Sequence, residues 1–344
     1  MRVSSKNMNK AMIVHEKILK FFSIIWLLLG FSIVGSTIYG YYLLQKNDNC
    51  SSVLSFPIQN EKQVEENQQA KITDSLFDPE SIQPVHAKDF ANAQLHYEEI
   101  INQWGIGSIY IPSSIVQTKI LSGMSNDNLM VGVGTYRSDQ RLGKGNYVLL
   151  AHNLTQGGGV LNNIRQTAIG SLIYATDFSK IYEYRVTMNQ VVNQSAGEVL
   201  NELKENEKPL ITLIRCEGGL NTDKRAVVQG ELITSYSASE ANNELKEKLG
   251  LVSAVQNQEQ VENTMVPNST ETVKGHDITS KGHTNQSVKK NKEINALKEE
   301  KEMYSSFEKF CIWIVKVFNN IYILVSFSVF YLTILGSFYL YEVF

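Results

Sequence analysis

The most apolar stretch of the chain runs almost unbroken from Phe21 to Leu44, and a second runs from Ile321 to Phe344, led into by Phe310 to Phe318. Both reach the roughly 20 residues that a bilayer-spanning helix needs. Between them the pattern changes period. Tyr182, Tyr184, Val186 and Met188 alternate with Glu183, Arg185 and Thr187, the signature of a strand with one buried face. Similar short runs predict strands over Gly107–Ile111, Val116–Ile120, Tyr147–Ala151, Ser171–Thr176, Ile181–Val192, Ile211–Ile214 and Ala226–Thr234. About seven or eight such strands make a closed barrel or a sandwich, and periodicity alone does not choose between them. Ahead of the strands, Phe90, Leu95, Ile100 and Ile101 carry helical spacing and predict one helix within Pro79–Gln103.

The polar stretches set the expected boundaries. Residues 46–76 are rich in Asn, Gln, Glu, Lys and Ser, too poor in large apolar side chains to bury a core, and read as a stalk. From Glu240 to Lys301 the same residue types predict a tether, with a short helix at Ala241–Leu251 and a helical stretch through Ile294, Leu297, Met303, Phe307 and Phe310. The expected plan is a basic cytoplasmic segment 1–20, a membrane anchor 21–44, a stalk 45–76, a folded domain 77–238, a low-complexity linker 239–308 and an apolar segment 310–344. Length alone allows two domains in 344 residues, but the uneven composition favours one.

Charge orients this plan. Arg2, Lys6, Lys10, Lys17 and Lys20 precede the first span and positive charge thins after it, which keeps the N-terminus in the cytoplasm and the folded domain outside. The apolar core is too long for a typical signal sequence and no Ala-x-Ala site follows, so an uncleaved anchor is expected. The C-terminal segment is expected to cross back, with Lys309 and Lys316 before it and no basic tail after it; a helix lying on the membrane surface is the alternative. A net charge of −3 argues against nucleic acid as a partner.

Chemistry enters at the strand edges. Cys216 ends an apolar, β-branched run and is the sole cysteine of the folded domain; Cys50 and Cys311 flank the spans. Arg225 opens the next run, and His152 follows the run Tyr147–Ala151. A thiol, an imidazole and a permanent cation, each at the edge of a strand, suit a nucleophile, a proton carrier and a stabiliser of negative charge. Taken singly, each has a blander reading as a core thiol, a structural histidine or a surface cation.

Together these residues resemble the sortases, the cysteine transpeptidases that anchor proteins to the Gram-positive cell wall, and most closely class A. The family signature Thr-Leu-x-Thr-Cys reads here Thr212-Leu213-Ile214-Arg215-Cys216, and it is followed by Arg225-Ala226-Val227-Val228-Gln229-Gly230-Glu231. The histidine motif appears as Ala151-His152-Asn153 after Gly143-Lys144-Gly145-Asn146-Tyr147. One position departs: Arg215 stands where the family usually has threonine.

The resemblance implies a mainly β fold, an eight-stranded sortase-type barrel with a short N-terminal helix, here flanked by transmembrane helices. It implies Cys216, His152 and Arg225 as catalytic residues, with Arg215, Ala151, Thr212 and Ile214 binding substrate. The implied substrates are surface proteins bearing a Leu-Pro-x-Thr-Gly motif, cut between Thr and Gly, and an amine of the lipid-linked peptidoglycan precursor. No cofactor is expected; Asp127 and Asp139 are weak calcium candidates without a cluster of carboxylates in one loop. Gly157-Gly158-Gly159 reads as a flexible loop, since no Walker lysine and serine follow, and Asn153-Leu154-Thr155 matches a glycosylation pattern by chance. Two rival readings are a sortase-like module that binds without turnover and a pilus-building class C sortase; against the latter, no Asp-Pro-Trp lid motif precedes the domain.

Overall fold

In the computed structural model, which describes residues 5–45, 54–153, 158–204, 206–217, 222–253, 304–319 and 321–343, the alternating runs in the middle of the chain close into a barrel of eight strands. The chain divides into two units: residues 48–84 with 97–303, and residues 1–47 with 85–96 and 304–344.

In the barrel unit, β1 (Phe56–Pro57) and α2 (Glu61–Asp74) come first, then α4 (Tyr97–Trp104), β2 (Gly105–Ile111) and β3 (Val116–Leu121). Next are α5 (Asn126–Val131), β4 (Val133–Thr135), β5 (Asn146–Ala151), β6 (Leu172–Thr176) and β7 (Lys180–Asn193). The unit ends with β8 (Leu210–Cys216), β9 (Lys224–Ser237), α6 (Asn243–Leu249) and β10 (Leu251–Val252). Around the barrel the order is β2-β3-β4-β5-β8-β9-β7-β6, with β3–β4 and β5–β8 parallel and the other pairs antiparallel. The inward-facing parity of each strand fills the lumen: Ile109, Leu149, Ile173, Tyr184, Leu213 and Val228 are buried together. Closure settles what periodicity left open, because every strand pairs on both sides and no edge remains.

Register places the candidate residues. Ala151 on β5 pairs with Arg215 on β8, so His152, one residue on, leaves the sheet beside Cys216. Cys216 in turn pairs with Arg225 on β9, and Arg225 pairs with Val192 on β7.

Several expectations need correction. The stalk region folds: Asn60 caps α2 through a capping box with Gln63, and Lys71 donates to the carbonyls of Asn102 (3.1 Å) and Gly105 (2.7 Å). A polar helix that buries only Val64 is held by hydrogen bonds to the barrel, which a composition argument does not see. The expected tether begins later than Glu240, because α6 folds and β10 pairs in parallel with β1. Phe56 of β1 stacks at 4.7 Å on Phe178, between β6 and β7, so the β1–β10 pair is tied to the barrel. The single helix expected over Pro79–Gln103 is a 3-10 turn at Pro79–Ser81 followed by α3 (Ala87–Leu95) and α4, broken at His96. Two elements escaped notice because they are short, the three-residue β4 and the six-residue α5. Cys50 and the tether 254–303 lie outside the described residues.

The second unit is helical: α1 (Ser5–Gln45), α3, α7 (Ser306–Phe318) and α8 (Ile321–Val343). Within α1, Lys20–Leu44 is 25 residues long and apolar enough to cross a membrane. The lead-in to the C-terminal segment is a separate helix: Ser305 caps α7 in a box with Glu308, and the helix ends at Asn319 before α8 begins. It lies close against α1 at Gly40, where a Cβ would collide with the Cys311 carbonyl, and Lys316 donates to Asn92 of α3 at 2.7 Å. Cys311 is buried there as a free thiol.

Candidate active site

The strands β5, β7, β8 and β9 end around a cavity of about 340 Å3 lined by His152, Arg215, Cys216 and Arg225. Its apolar wall comes from outward-facing residues: Leu150, Val192, Ile214 and Val227, with Leu129 and Tyr136 beside them. Ile214 belongs to a small cluster with Val148 and Val227, whereas Leu213 points into the lumen, so alternation along β8 separates cavity wall from core. Pro79 and Ile82, from the turn before α3, close another side.

Cys216 is half-buried at the strand end, where a thiol touches both the cavity and the loop. His152 is 6% exposed, and burial without a charged partner pushes its pKa down to about 4. The ring is therefore neutral at physiological pH. Its Nε2 lies 2.9 Å from Asn126 Oδ1, and the same oxygen accepts the Gln83 backbone N–H at 3.1 Å. Since that oxygen only accepts, Nε2 carries the ring hydrogen and Nδ1 keeps the lone pair. The backbone N–H of His152 is held by the Leu129 carbonyl at 2.8 Å, so α5 fixes the histidine through main chain and side chain alike. Asn126 was missed in the sequence; its only signal was Ser125, whose side chain caps the short helix.

Gly159 lies over this segment with φ +106°, and a Cβ there would sit 2.7 Å from the His152 carbonyl oxygen. Only glycine passes so closely in that conformation. Gly157 of the same run, and Leu154-Thr155 of the glycosylation-like pattern, lie outside the described residues.

Arg225 keeps one edge of its guanidinium on the carbonyls of Thr222 (2.8 Å) and Lys224 (2.9 Å) and reaches Gln194 Oε1 at 2.7 Å. These acceptors are neutral, so the cation retains its full charge at the cavity. Arg215 is different. It is 7% exposed, donates to the carbonyls of Cys216 (3.0 Å) and Asn162 (3.2 Å), and its Nη2 lies 3.0 Å from Glu217 Oε2.

Of the residues expected to bind substrate, Ala151, Ile214 and Arg215 line the cavity. Thr212 does not. It is fully buried, donates to Asn146 Oδ1 at 2.6 Å and accepts from Gln229 Nε2 at 3.0 Å, a polar knot inside the sheet. The calcium candidates are also apart: Asp139 faces Arg137 Nε at 3.4 Å, and Arg137 also pairs with Glu202, while Asp127 sits in the first turn of α5. Among the described residues no three His, Cys, Asp or Glu side chains converge on a metal position.

This arrangement offers a thiol, a neutral imidazole with a fixed tautomer and an uncompensated cation around one apolar cavity, which is the equipment for acyl transfer through a thioester. The sequence profile of the sortase domain matches residues 109–233. Sortase A of Listeria monocytogenes is 34% identical over 159 residues, covering 46% of this chain and 69% of that protein. Sortase A of Bacillus anthracis is 28% identical over 218 residues, 63% of this chain and 96% of that one. The crystal structure of the Listeria monocytogenes enzyme aligns with 42% of this chain and 97% of its own, at 34% identity and a TM-score of 0.39. The chain belongs to the sortase family, the cysteine transpeptidases.

Proposed function

We propose that the protein is a membrane-anchored class A sortase that cuts a Leu-Pro-x-Thr-Gly-like motif between Thr and Gly and passes the protein to an amine of the lipid-linked peptidoglycan precursor. The observation that carries this reading is the register across β5, β8 and β9, which gathers His152, Cys216 and Arg225 at one cavity. In the proposed sequence the neutral His152 takes the thiol proton at the nitrogen that does not bond Asn126. The Cys216 sulfur attacks the scissile carbonyl, and Arg225 hydrogen-bonds the oxyanion or the adjoining peptide backbone. The imidazolium then gives its proton to the departing glycine amine, leaving a thioester on Cys216. The incoming amine opens the thioester as His152 takes one of its protons, and the thiol returns.

The apolar walls Leu150, Val192, Ile214 and Val227 suit the leucine and proline of such a motif. The reading needs no cofactor. Its location follows from Lys20–Leu44 as an anchor with the basic N-terminus in the cytoplasm and the barrel outside, and with Ile321–Val343 as a second span. The Arg215 departure supports a second reading, a module that binds sorting peptides without turnover, because a bulky side chain forms part of the cavity wall.

One experiment tests both. The full chain in detergent is incubated with a quenched Leu-Pro-x-Thr-Gly peptide and several amines, and the products are weighed by mass spectrometry. Transpeptidation expects a Cys216 thioester and a new amide; intact peptide bound to folded protein would leave the binding module as the better account.

A further inference from the structure

The exposed apolar side chains of the helical unit are sorted by type along α1. Phe21 and Phe22 stand at one end and Tyr39 and Tyr42 near the other. The exposed large apolar residues between them are mainly aliphatic, such as Ile24, Leu27, Leu28, Val34 and Ile38, with Phe31 the one aromatic. Aromatic rings collect at the two boundaries of a bilayer and aliphatic chains in its hydrocarbon. From Phe22 to Tyr39 the helix rises about 26 Å, close to the ~30 Å of a hydrocarbon core. Tyr39 therefore marks the boundary at the C-terminal end of the span.

The helix α7 meets α1 at that level. Phe307 stacks on Tyr39 at 6.0 Å, the Tyr39 hydroxyl donates to Glu308 Oε1 at 3.4 Å, and a Cβ on Gly40 would lie 2.7 Å from Val315 Cγ2. Phe307 and Val315 are about 12 Å apart along α7, yet they touch adjacent residues of α1, so α7 lies across the span and not along it. One side of α7 is used within the unit, where Cys311, Ile312, Ile314 and Val315 are buried. The other side is aromatic and exposed: Phe307, Phe310 and Trp313, with Phe310 and Trp313 stacked at 6.1 Å. Lys309 and Lys316 share one stripe of the helix along the border of this face, as basic stems do beside a headgroup layer. Tyr322, in the first turn of α8, is exposed as well.

We propose that α7 is an interfacial helix, lying in the headgroup layer at the outer end of the α1 span with Phe307, Phe310 and Trp313 dipping into the lipid. The partner of the aromatic face is the bilayer surface, because that face continues through Phe307 onto the boundary residue Tyr39. The same helix carries α3, whose Asn92 accepts from Lys316 at 2.7 Å, so residues 87–95 are held at the membrane surface too. The proposal rests on the reading of Lys20–Leu44 as a membrane anchor.

Depth-dependent fluorescence quenching tests it. The full chain is reconstituted into phosphatidylcholine–phosphatidylglycerol vesicles whose acyl chains carry bromine either just below the headgroup or near the bilayer centre. The tryptophans are Trp26, Trp104 and Trp313. With Trp26→Phe and Trp104→Phe together, only Trp313 emits, and the shallow bromines should quench it more than the deep ones. With Trp104→Phe and Trp313→Phe together, only Trp26 emits; it is the control within the span and should respond relatively more to the deep bromines. A quenched Trp26 beside a Trp313 that no bromine reaches means that water or protein, such as a second copy of the chain, covers the face, and overturns the proposal. Stronger quenching of Trp313 by the deep bromines also overturns it, because α7 then runs into the hydrocarbon. If neither tryptophan is quenched, the anchor reading itself falls and takes the proposal with it. Should the double variants fail to fold, Trp313→Phe alone decides, since its ring is exposed. It should remove the shallow-quenched part of the wild-type emission, and an unchanged quenching profile overturns the proposal.

Discussion

The two mouths of the barrel, one beside His152 and the other beside Tyr147 and Arg141, enclose cavities of about 340 Å3 each and have opposite chemistry. At the His152 mouth the walls are apolar and the buried imidazole has no charged partner, so desolvation alone sets its state and leaves it neutral. At the Tyr147 mouth ionic groups crowd together, and most are matched: Asp177 by four donors, Lys180 by Glu61, Arg137 by two acids. Reactivity therefore comes from what is left unmatched in an apolar setting. A thiol and a cation with only neutral partners face the first cavity, whereas the second is walled largely by ionic groups that already have partners. Volume distinguishes nothing here; the unsatisfied groups do.

The largest expected contrast is between the two ends of β5 and its neighbour. Cys216→Ala should abolish thioester formation and cleavage, while Tyr147→Phe leaves both intact. Intact-mass analysis after mixing with sorting peptide checks this, and an adduct on the alanine variant would remove Cys216 from the mechanism. Next come the arginines. Arg225→Ala should lower kcat/KM by about 100 to 1,000 fold, the usual cost of losing an oxyanion donor. Arg141→Gln, a cation at the other mouth, should not change it, and equal losses in the two variants would mean that position relative to the thiol is irrelevant.

A smaller effect is expected at Asn126. It touches His152 but not the cavity lining, so Asn126→Ala should cost up to about tenfold in kcat, the worth of one hydrogen bond, with KM unchanged. A change confined to KM would assign Asn126 to the peptide instead of the imidazole.

The neutral histidine also has a stability signature. Its folded pKa lies near 4, below the ordinary 6.5, so the unfolded chain binds the proton more readily. The contribution is complete above pH 6.5 and is lost as pH falls through that window toward 4. Between pH 7.5 and 4.5 the wild type should lose on the order of 2 kcal/mol that His152→Gln does not lose. Denaturant titrations at the two pH values measure it, and parallel losses would show that His152 is charged in the folded state.

The smallest change is expected at Arg215, whose charge is already opposed by Glu217 at 3.0 Å. Arg215→Thr should leave the pH profile of cleavage where it is. A profile shifted upward would show that this guanidinium acts on the thiol after all.

The sequence by itself determined the strand-rich domain, because a period of two imprinted on Tyr182–Val186 admits one burial pattern, although a bulge after Val186 turns Met188 from that face to the outer cluster. It marked the two apolar segments, and the resemblance to the sortases singled out Cys216, His152 and Arg225 as candidates. What it misjudged depends on partners distant in sequence. The helix α2 looked like stalk because its few apolar residues say nothing of Lys71 reaching the carbonyls of Asn102 and Gly105. Thr212 looked like a substrate contact because it lies in the cysteine motif and shares a face with Ile214, yet its bonds to Asn146 and Gln229 bury it away from the cavity. Asn126 was invisible because a six-residue helix has no period to read. Only the tertiary structure decided the barrel closure, the tautomer of His152 and the matched ionic groups at the far mouth, because each is a relation between strands and loops far apart in the chain.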